Sequence, residues 1–273
     1  MFLERIDNYM LKAIREAKQN TSWINRNTEY EEAVSSFVKA LLDPSPKNRF
    51  LNDFVPFHRR VARIGLWNSL SQTLLKLTSP GVPDVYQGNE LWDLSLVDPD
   101  NRRPIDYNHR MKLFESVRSG VSSHDASTAS RLLETPEDGR IKLYLIWKTL
   151  CQRQQQPSLF EQGEYLPLAV AGAKAGHIIA FVRKLDGASA IIIAPRLIAT
   201  LLNDADLPPL GAKIWGDTHV LFPYDSGEGC QNVFTGKDVE LIPADDHSTG
   251  QRKITVSDAL AEFPVALCLL NAH

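Results

Sequence analysis

Residues 79–107 read SPGVPDVYQGNELWDLSLVDPDNRRPIDY, and this stretch decides how the rest of the chain is read. Pro80-Gly81 stops a helix. Val82–Tyr86 is a short apolar run that reads as a strand, limited to few ladder bonds by its prolines. From Gln87 to Asn108 there is no helical period and many residues are polar, so the segment reads as a long ordered loop. Loops of that length inside a compact domain are usually functional. The strand end and loop gather Tyr86, Gln87, Glu90, Trp92, Asp93, Asp98, Asp100, Asn101, Arg102 and Arg103. Carboxylates, amides and guanidinium groups make paired hydrogen bonds to vicinal hydroxyls, and aromatic rings stack on the apolar face of a pyranose. That mixture suits a sugar site.

Upstream, the chain reads as helical. Leu3, Ile6, Met10, Ala13 and Ala17 recur at spacings of three and four, on one helix face. Thr28 with Glu31 fits a capping box that opens a second helix, whose stripe is Ala33, Val34, Phe37, Val38, Leu41 and Leu42, ended by Pro44 and Pro46. A third helix is predicted over about Asp53 to Leu77, with Phe54, Phe57, Val61, Ile64, Leu70, Leu74 and Leu77 as its apolar positions.

Downstream, Met111 to Arg118 forms a helix and residues 120–130 read as a surface connection. Thr135-Pro136-Glu137-Asp138 is a helix start, with a capping hydroxyl, proline at the first position and acids in the first turn. Ile141, Tyr144, Leu145, Trp147, Leu150 and Cys151 supply the buried side of that helix, which ends in Gln154-Gln155-Gln156-Pro157. After Pro157 the texture changes. Tyr165–Val170, His177–Val182, Ala188–Ala194, His219–Phe222, Val233–Thr235, Val239–Ile242 and Phe263–Leu270 are short β-rich segments separated by Gly, Pro, Asp and Asn. Their spacing indicates an antiparallel sandwich or barrel. The boundary falls near 157–163, dividing the chain into domains 1–157 and 158–273.

Composition sets the class. The 273 residues are 43% hydrophobic and 23% charged, enough to bury a sizeable core. A net charge of -3 argues against a general nucleic-acid binder. Cys151, Cys230 and Cys268 are odd in number, far apart and without a CxxC pair, which points to a reducing cytoplasm rather than a disulfide framework or zinc site. Charges at Glu4, Arg5 and Asp7 break any signal-peptide core, and no run approaches the roughly 20 apolar residues that span a bilayer. No cofactor is expected, and the histidines show no metal-ligand spacing.

PGVPDVYQGNE resembles the motif at the eighth barrel strand of the alpha-amylase superfamily, glycoside hydrolase family 13. The fuller string to Tyr107, together with YMLKAIREAKQNTSWINRN and FHRRVARIGLWNSLSQTLLKLTSPG, is similar to one branch, the maltooligosyltrehalose synthases. The similarity is dense from about Arg5 to Tyr107 and looser beyond. That branch converts the reducing-end α-1,4 linkage of a maltooligosaccharide into an α,α-1,1 linkage. The resemblance implies a fragment of α+β type: the helical C-terminal part of a (β/α)8 barrel with its last strand, followed by an antiparallel β-sandwich domain. It implies a maltooligosaccharide substrate and a missing N-terminal part of the same enzyme as partner. The family's nucleophile, acid and stabilising aspartate follow earlier barrel strands. The expected histidine-aspartate string with basic residues and SED does not occur here, and His124-Asp125 sits in a serine-rich connection that does not fit. No residue of this chain is therefore assigned a catalytic role.

The candidate substrate-binding residues are Tyr86, Gln87, Glu90, Trp92, Asp98, Asp100, Asn101, Arg102 and Arg103, with Ser22 and Trp23 from the TSWIN string. Several have a plainer alternative. One of Arg102 and Arg103 is expected to pair with nearby acids, leaving the other to face the sugar. Tyr86 reads as a wall of the site rather than barrel core. Ser22 and Trp23 can equally cap or pack a helix end. Trp67 and Trp147 read as core, and Trp215 as packing rather than sugar stacking. Asp98–Arg103 is rejected as a calcium loop, because its fifth and sixth positions are arginines. Two rivals remain: another superfamily glucanotransferase or hydrolase, and a maltodextrin-binding module without catalysis. An incomplete barrel would expose a strand edge and apolar helix faces, so self-association is expected.

Overall fold

The computed structural model describes residues 2–121, 127–202, 207–222, 229–244 and 251–270. It is a mixture of helices and antiparallel sheets, in two compact units: residues 1–61 with 93–105, and residues 62–92 with 106–273.

The first unit holds α1 (Phe2–Ala17), α2 (Thr28–Leu41) and the beginning of α3 (Arg49–Thr78). Polar clamps join α1 to α2. Arg15 donates from Nε and Nη2 to the two oxygens of Glu31 at 2.9 and 2.6 Å, and Ser35 Oγ donates to Asp7 at 3.0 Å. The expected capping box is corrected. Asn27, not Thr28, caps α2 by accepting from Tyr30 N at 3.1 Å, and Glu31 is consumed by Arg15. Asn48 makes α3 begin earlier than predicted. Its amide donates to Leu41 O and Asp43 O while its Oδ1 accepts from Leu51 N.

In the second unit, α3 buries Ile64, Trp67, Leu70, Leu74 and Leu77 as its spacing predicts. Four helices follow: α4 (Tyr107–Val121), α5 (Ser127–Glu134), α6 (Arg140–Gln155) and α7 (Pro157–Glu161). Of the expected connection at 120–130, residues 122–126, including His124-Asp125, lie outside the described residues. Ser127 onward is helical. The helix start at Thr135 is also corrected. Pro136–Asp138 is a single 3-10 turn, Gly139 adopts a left-handed φ of 82°, and α6 begins at Arg140, whose N–H donates to Asp138. A side chain at Gly139 would press on Leu91 and the Trp92 backbone at 3.2–3.3 Å, so glycine is required twice over. Tyr144 and Leu145 are buried on α6 as expected, whereas Leu150 is exposed.

The change of texture after Pro157 is real, with all described strands beyond it. A six-stranded sheet runs β1-β3-β4-β10-β6-β7 and a four-stranded sheet runs β2-β5-β9-β8. Their ranges are β1 (Glu164–Pro167), β2 (Val170–Ala171), β3 (Ile178–Leu185), β4 (Ala188–Pro195), β5 (His219–Phe222), β6 (Gly229–Asn232), β7 (Asp238–Glu240), β8 (Ile242–Pro243), β9 (Arg252–Thr255) and β10 (Ala266–Leu270). Every described pairing is antiparallel, with β3 and β4 matched from Ile178↔Pro195 to Leu185↔Ala188. Ser189 to Pro195 of β4 are all buried, the mark of a strand covered on both faces. Val233–Thr235 is not a strand but the turn that follows β6.

Val82–Tyr86 is not a strand among the described residues. Pro80 and Pro83 lack amide donors, and no ladder partner stands beside the run. A strand edge there is accordingly no ground for self-association. What fixes the motif is the helix end before it. Arg153 donates to Leu77 O at 2.9 Å and Gly81 O at 3.2 Å. Arg183, on β3, donates to Thr78 O at 3.1 Å and Gly163 O at 2.8 Å. Carbonyls at a helix C-terminus carry partial negative charge and lack intrahelical donors, so two guanidinium groups satisfy them. Burial lowers the pKa of both arginines. No helix among the described residues is long and apolar enough to cross a membrane.

Candidate functional site

Tyr86, Gln87, Glu90 and Trp92 lie in the second unit. Residues 87–90 form a turn, closed by Asn89 N donating to Tyr86 O at 2.9 Å. Two α4 residues that the sequence reading passed over hold this turn. Arg110 donates to Gly88 O at 3.0 Å and to Glu90 Oε2 at 3.3 Å, while Glu90 Oε2 also accepts from Gly88 N at 2.9 Å. Tyr107 OH donates to Gln87 Oε1 at 3.0 Å. The Gln87 NH2 is thereby left as a donor, on an exposed residue beside the exposed ring of Tyr86. Trp92 is half-buried and used structurally. Its Nε1 donates to Pro136 O at 2.7 Å, and Lys142 Nζ sits 5.5 Å from its ring centroid while donating to Leu91 O.

Ser22, Trp23, Asp98, Asp100, Asn101, Arg102 and Arg103 lie in the first unit. Asp100 is the centre of this part. Arg5 of α1 donates from Nε and Nη2 to its two oxygens, both at 2.8 Å, and Leu96 N donates to Oδ2 at 2.7 Å. Arg103 stands 3.4 Å from the same carboxylate and donates to Asp100 O and Ser95 Oγ. Arg102 pairs with Asp98, and Lys12 donates to Asp98 O. Both arginines are therefore in ion pairs, where one was expected to pair with an acid and the other to face the sugar, and both remain exposed. Two carboxylates spaced at i and i+2 with arginines at 102 and 103 favour short local pairs over reaching outward. Arg5, Lys12 and Arg15 were missed, although their spacing of seven and three puts them on one face of α1. Ser22 Oγ accepts from Asn25 N at 2.8 Å, which makes it a turn residue. Trp23 is half exposed with Arg15 5.0 Å from its ring centroid, and Asn101 is exposed.

The Arg5 and Leu96 hydrogen bonds, in that order, hold the Asp100 carboxyl down to about 2. Arg15, then Thr21, does the same for Glu31. Both pKa values lie below the ordinary carboxylate range of roughly 4. Each group's stabilisation is therefore fully present above that range and is lost as pH falls toward 2. Melting temperature followed from pH 5 to pH 2 should fall, and it should fall less steeply in Asp100→Asn and Glu31→Gln. An unchanged acid slope in both variants would show that these pairs do not set it.

Among the described residues no group of three or more His, Cys, Asp or Glu could hold a metal ion. An open depression on α4 is lined by Lys112, Glu115, Ser116, Arg118 and Ser119 and contains none of the candidate residues.

No family model matches the chain. A Mycobacterium tuberculosis H37Rv protein, provisionally named maltooligosyl trehalose synthase, is 34% identical over 245 residues, covering 89% of this chain and 28% of that protein. The solved maltooligosyltrehalose synthase of Arthrobacter ramosus is 31% identical, with a TM-score of 0.74 over 98% of this chain and 30% of its own. Another crystal structure of a maltooligosyl trehalose synthase is 28% identical at a TM-score of 0.66, again over 98% of this chain and 30% of its own. The chain thus spans less than a third of the length of these relatives.

Proposed function

We propose that this chain, which matches the C-terminal portion of maltooligosyltrehalose synthases, serves as that portion of an intramolecular transglucosidase. The enzyme would move the reducing-end α-1,4 linkage of a maltooligosaccharide to α,α-1,1, a step of trehalose formation. The observation that carries this reading is the match over 98% of the chain to the Arthrobacter ramosus enzyme, at 31% identity. On this reading residues 1–157 correspond to the last part of a catalytic (β/α)8 barrel with its helical segments, and 158–273 to a C-terminal β-sandwich domain. The setting is the cytoplasm and no cofactor is needed.

The chemistry supports assigning the reacting carboxylates elsewhere. Retaining glycosyl transfer needs two carboxyl groups about 5–5.5 Å apart, one nucleophilic and one protonated. Here Asp100 is held ionised by Arg5, Asp98 pairs with Arg102, and Glu90 pairs with Arg110. A carboxyl held near 2 cannot carry a proton at neutral pH. The ion pairs of Asp98, Asp100 and Glu90 support reading these acids as loop braces. Tyr86 and Gln87 of the second unit keep exposed surface and are proposed for sugar contact; in the first unit, taken by itself, Trp23 and Asn101 do so. The ring of Tyr86 suits a pyranose face, and the Gln87 NH2 suits a hydroxyl oxygen.

Incubating the purified chain with maltopentaose should yield no trehalose-terminated product. Product formed by the pure chain would overturn the assignment of the carboxylates to the remainder of the enzyme. The exposure of Tyr86 and Trp23 also favours a second reading, a maltodextrin-binding module. Tight calorimetric binding of maltopentaose by the chain alone would favour that reading.

A further inference from the structure

Lys148 and Cys151 lie three residues apart on α6, so their side chains share one helix face, with Cβ atoms about 5–6 Å apart. The two side chains interact electrostatically. Among the described residues Lys148 donates to no acceptor and pairs with no carboxylate, unlike Lys142 of the same helix, which donates to Leu91 O. Its neighbours one turn back, Tyr144 and Leu145, are buried, and Lys148 itself is partly buried. That burial lowers its pKa, against a smaller raising effect of Cys151. A lysine without a counter-ion and partly withdrawn from water holds more of its amine as the free base, which is the nucleophile. Cys151 is free and partly exposed, whereas Cys230 and Cys268 are buried.

We propose that Lys148 and Cys151 form an acyl-capture site, at which an acyl thioester of a small thiol modifies Lys148 by way of Cys151. In the first step the Cys151 thiolate attacks the thioester carbonyl carbon. A new C–S bond forms, the C–S bond to the donor breaks, and the donor thiol leaves with the proton that Cys151 gave up. In the second step the Lys148 amine attacks the carbonyl of the Cys151 thioester. A C–N bond forms, the C–S bond to Cys151 breaks, and the sulfur takes back a proton from the amine nitrogen. The products are an amide on Lys148, a free donor thiol and an unchanged Cys151, with no oxidant or reductant taking part. Sulfur performs the bimolecular capture because it is the better nucleophile at neutral pH, and the second step is intramolecular. Acylation also removes the charge that burial disfavours. The site stands on α6 alone and does not depend on the activity proposed for the chain.

The test is incubation of the full 273-residue chain with acetyl-coenzyme A at neutral pH, with peptide mass spectrometry following each lysine in time. Lys148 is expected to be acetylated about tenfold or more faster than the exposed Lys76 and Lys112. Cys151→Ser and Cys151→Ala should bring Lys148 down to the rate of those two. Lys148→Arg should instead accumulate the acetyl group on Cys151, from which hydroxylamine releases it. Should either cysteine variant fold poorly, capping Cys151 with methyl methanethiosulfonate in the folded parent makes the same comparison, since the other two thiols are buried. Acetylation of Lys148 no faster than of Lys76 and Lys112 would overturn the proposal. So would an equal Lys148 rate with Cys151 present, replaced or capped.

Discussion

Arg183→Met should lower the melting temperature of the chain by about 10 °C. Arg183 is 1% exposed, so it is a charged residue inside the fold, held by backbone carbonyls. Its partners are the carbonyls of Thr78 and Gly163. Methionine keeps much of the apolar stem and removes both donors, leaving two carbonyls dry. A buried polar group without a partner costs about 1–3 kcal/mol, so two of them should cost roughly 2–6 kcal/mol. For a folding unit of some 200 residues, each kcal/mol moves the melting temperature by about 2–4 °C. Calorimetry or circular dichroism would read the shift. Arg153 serves the adjacent carbonyl of Leu77, so the two arginines act on one helix end and their substitutions should not be additive. A variant that melts within a degree of the parent would show that the guanidinium costs as much to bury as it returns.

Trp215→Ala should be comparably severe, about 3–5 kcal/mol, the usual range for deleting a large buried aromatic. Trp215 ends α9 (Gly211–Trp215), which follows the short α8 (Ile198–Leu201) and packs against α10 (Val256–Ala259). Its ring is fully buried and its Nε1 donates to Pro209 O at 2.9 Å. Alanine would leave a cavity and orphan that carbonyl. Denaturant unfolding should show a lower midpoint. If stability were unchanged while maltopentaose affinity fell, the ring would have to be a sugar platform, contrary to its burial.

Residues with a strong apolar period were legible in the sequence; those held by long-range polar contacts were not. His219–Phe222 is β5 at both ends, and the inward positions of α3 from Ile64 to Leu77 are buried, because alternation and three-four spacing reflect burial directly. The strands β6, GCQN, and β9, RKIT, show almost no apolar run, and only their neighbours make them strands. Val82–Tyr86 is apolar enough for a strand, but ladder bonds need a partner that no local pattern supplies. Asn27 and Thr28 are both good capping residues, and the choice between them depends on where Glu31 is drawn by Arg15. At the candidate site, the residue types in 86–103 were visible. Which of them remain available to a ligand was not, because Tyr107, Arg110 and Arg5 reach them from other helices.

The order of strands in the larger sheet has a bearing on how the chain is made. β10, Ala266–Leu270, lies between β4 and β6 in the middle of that sheet, pairing Leu267 with Ile192 and Cys268 with Asn232. During synthesis, β3 and β4 emerge as a hairpin early, but β6 and β7 have no place to join them until residue 270 has left the ribosome. The carbonyl of Thr78 must likewise wait for β3 to deliver Arg183. Such distant pairings fold slowly, and the half-built sheet exposes strand edges in the interval. A released chain truncated before Ala266 should therefore be protease-sensitive in β6 and β7, whereas the full chain should be protected there.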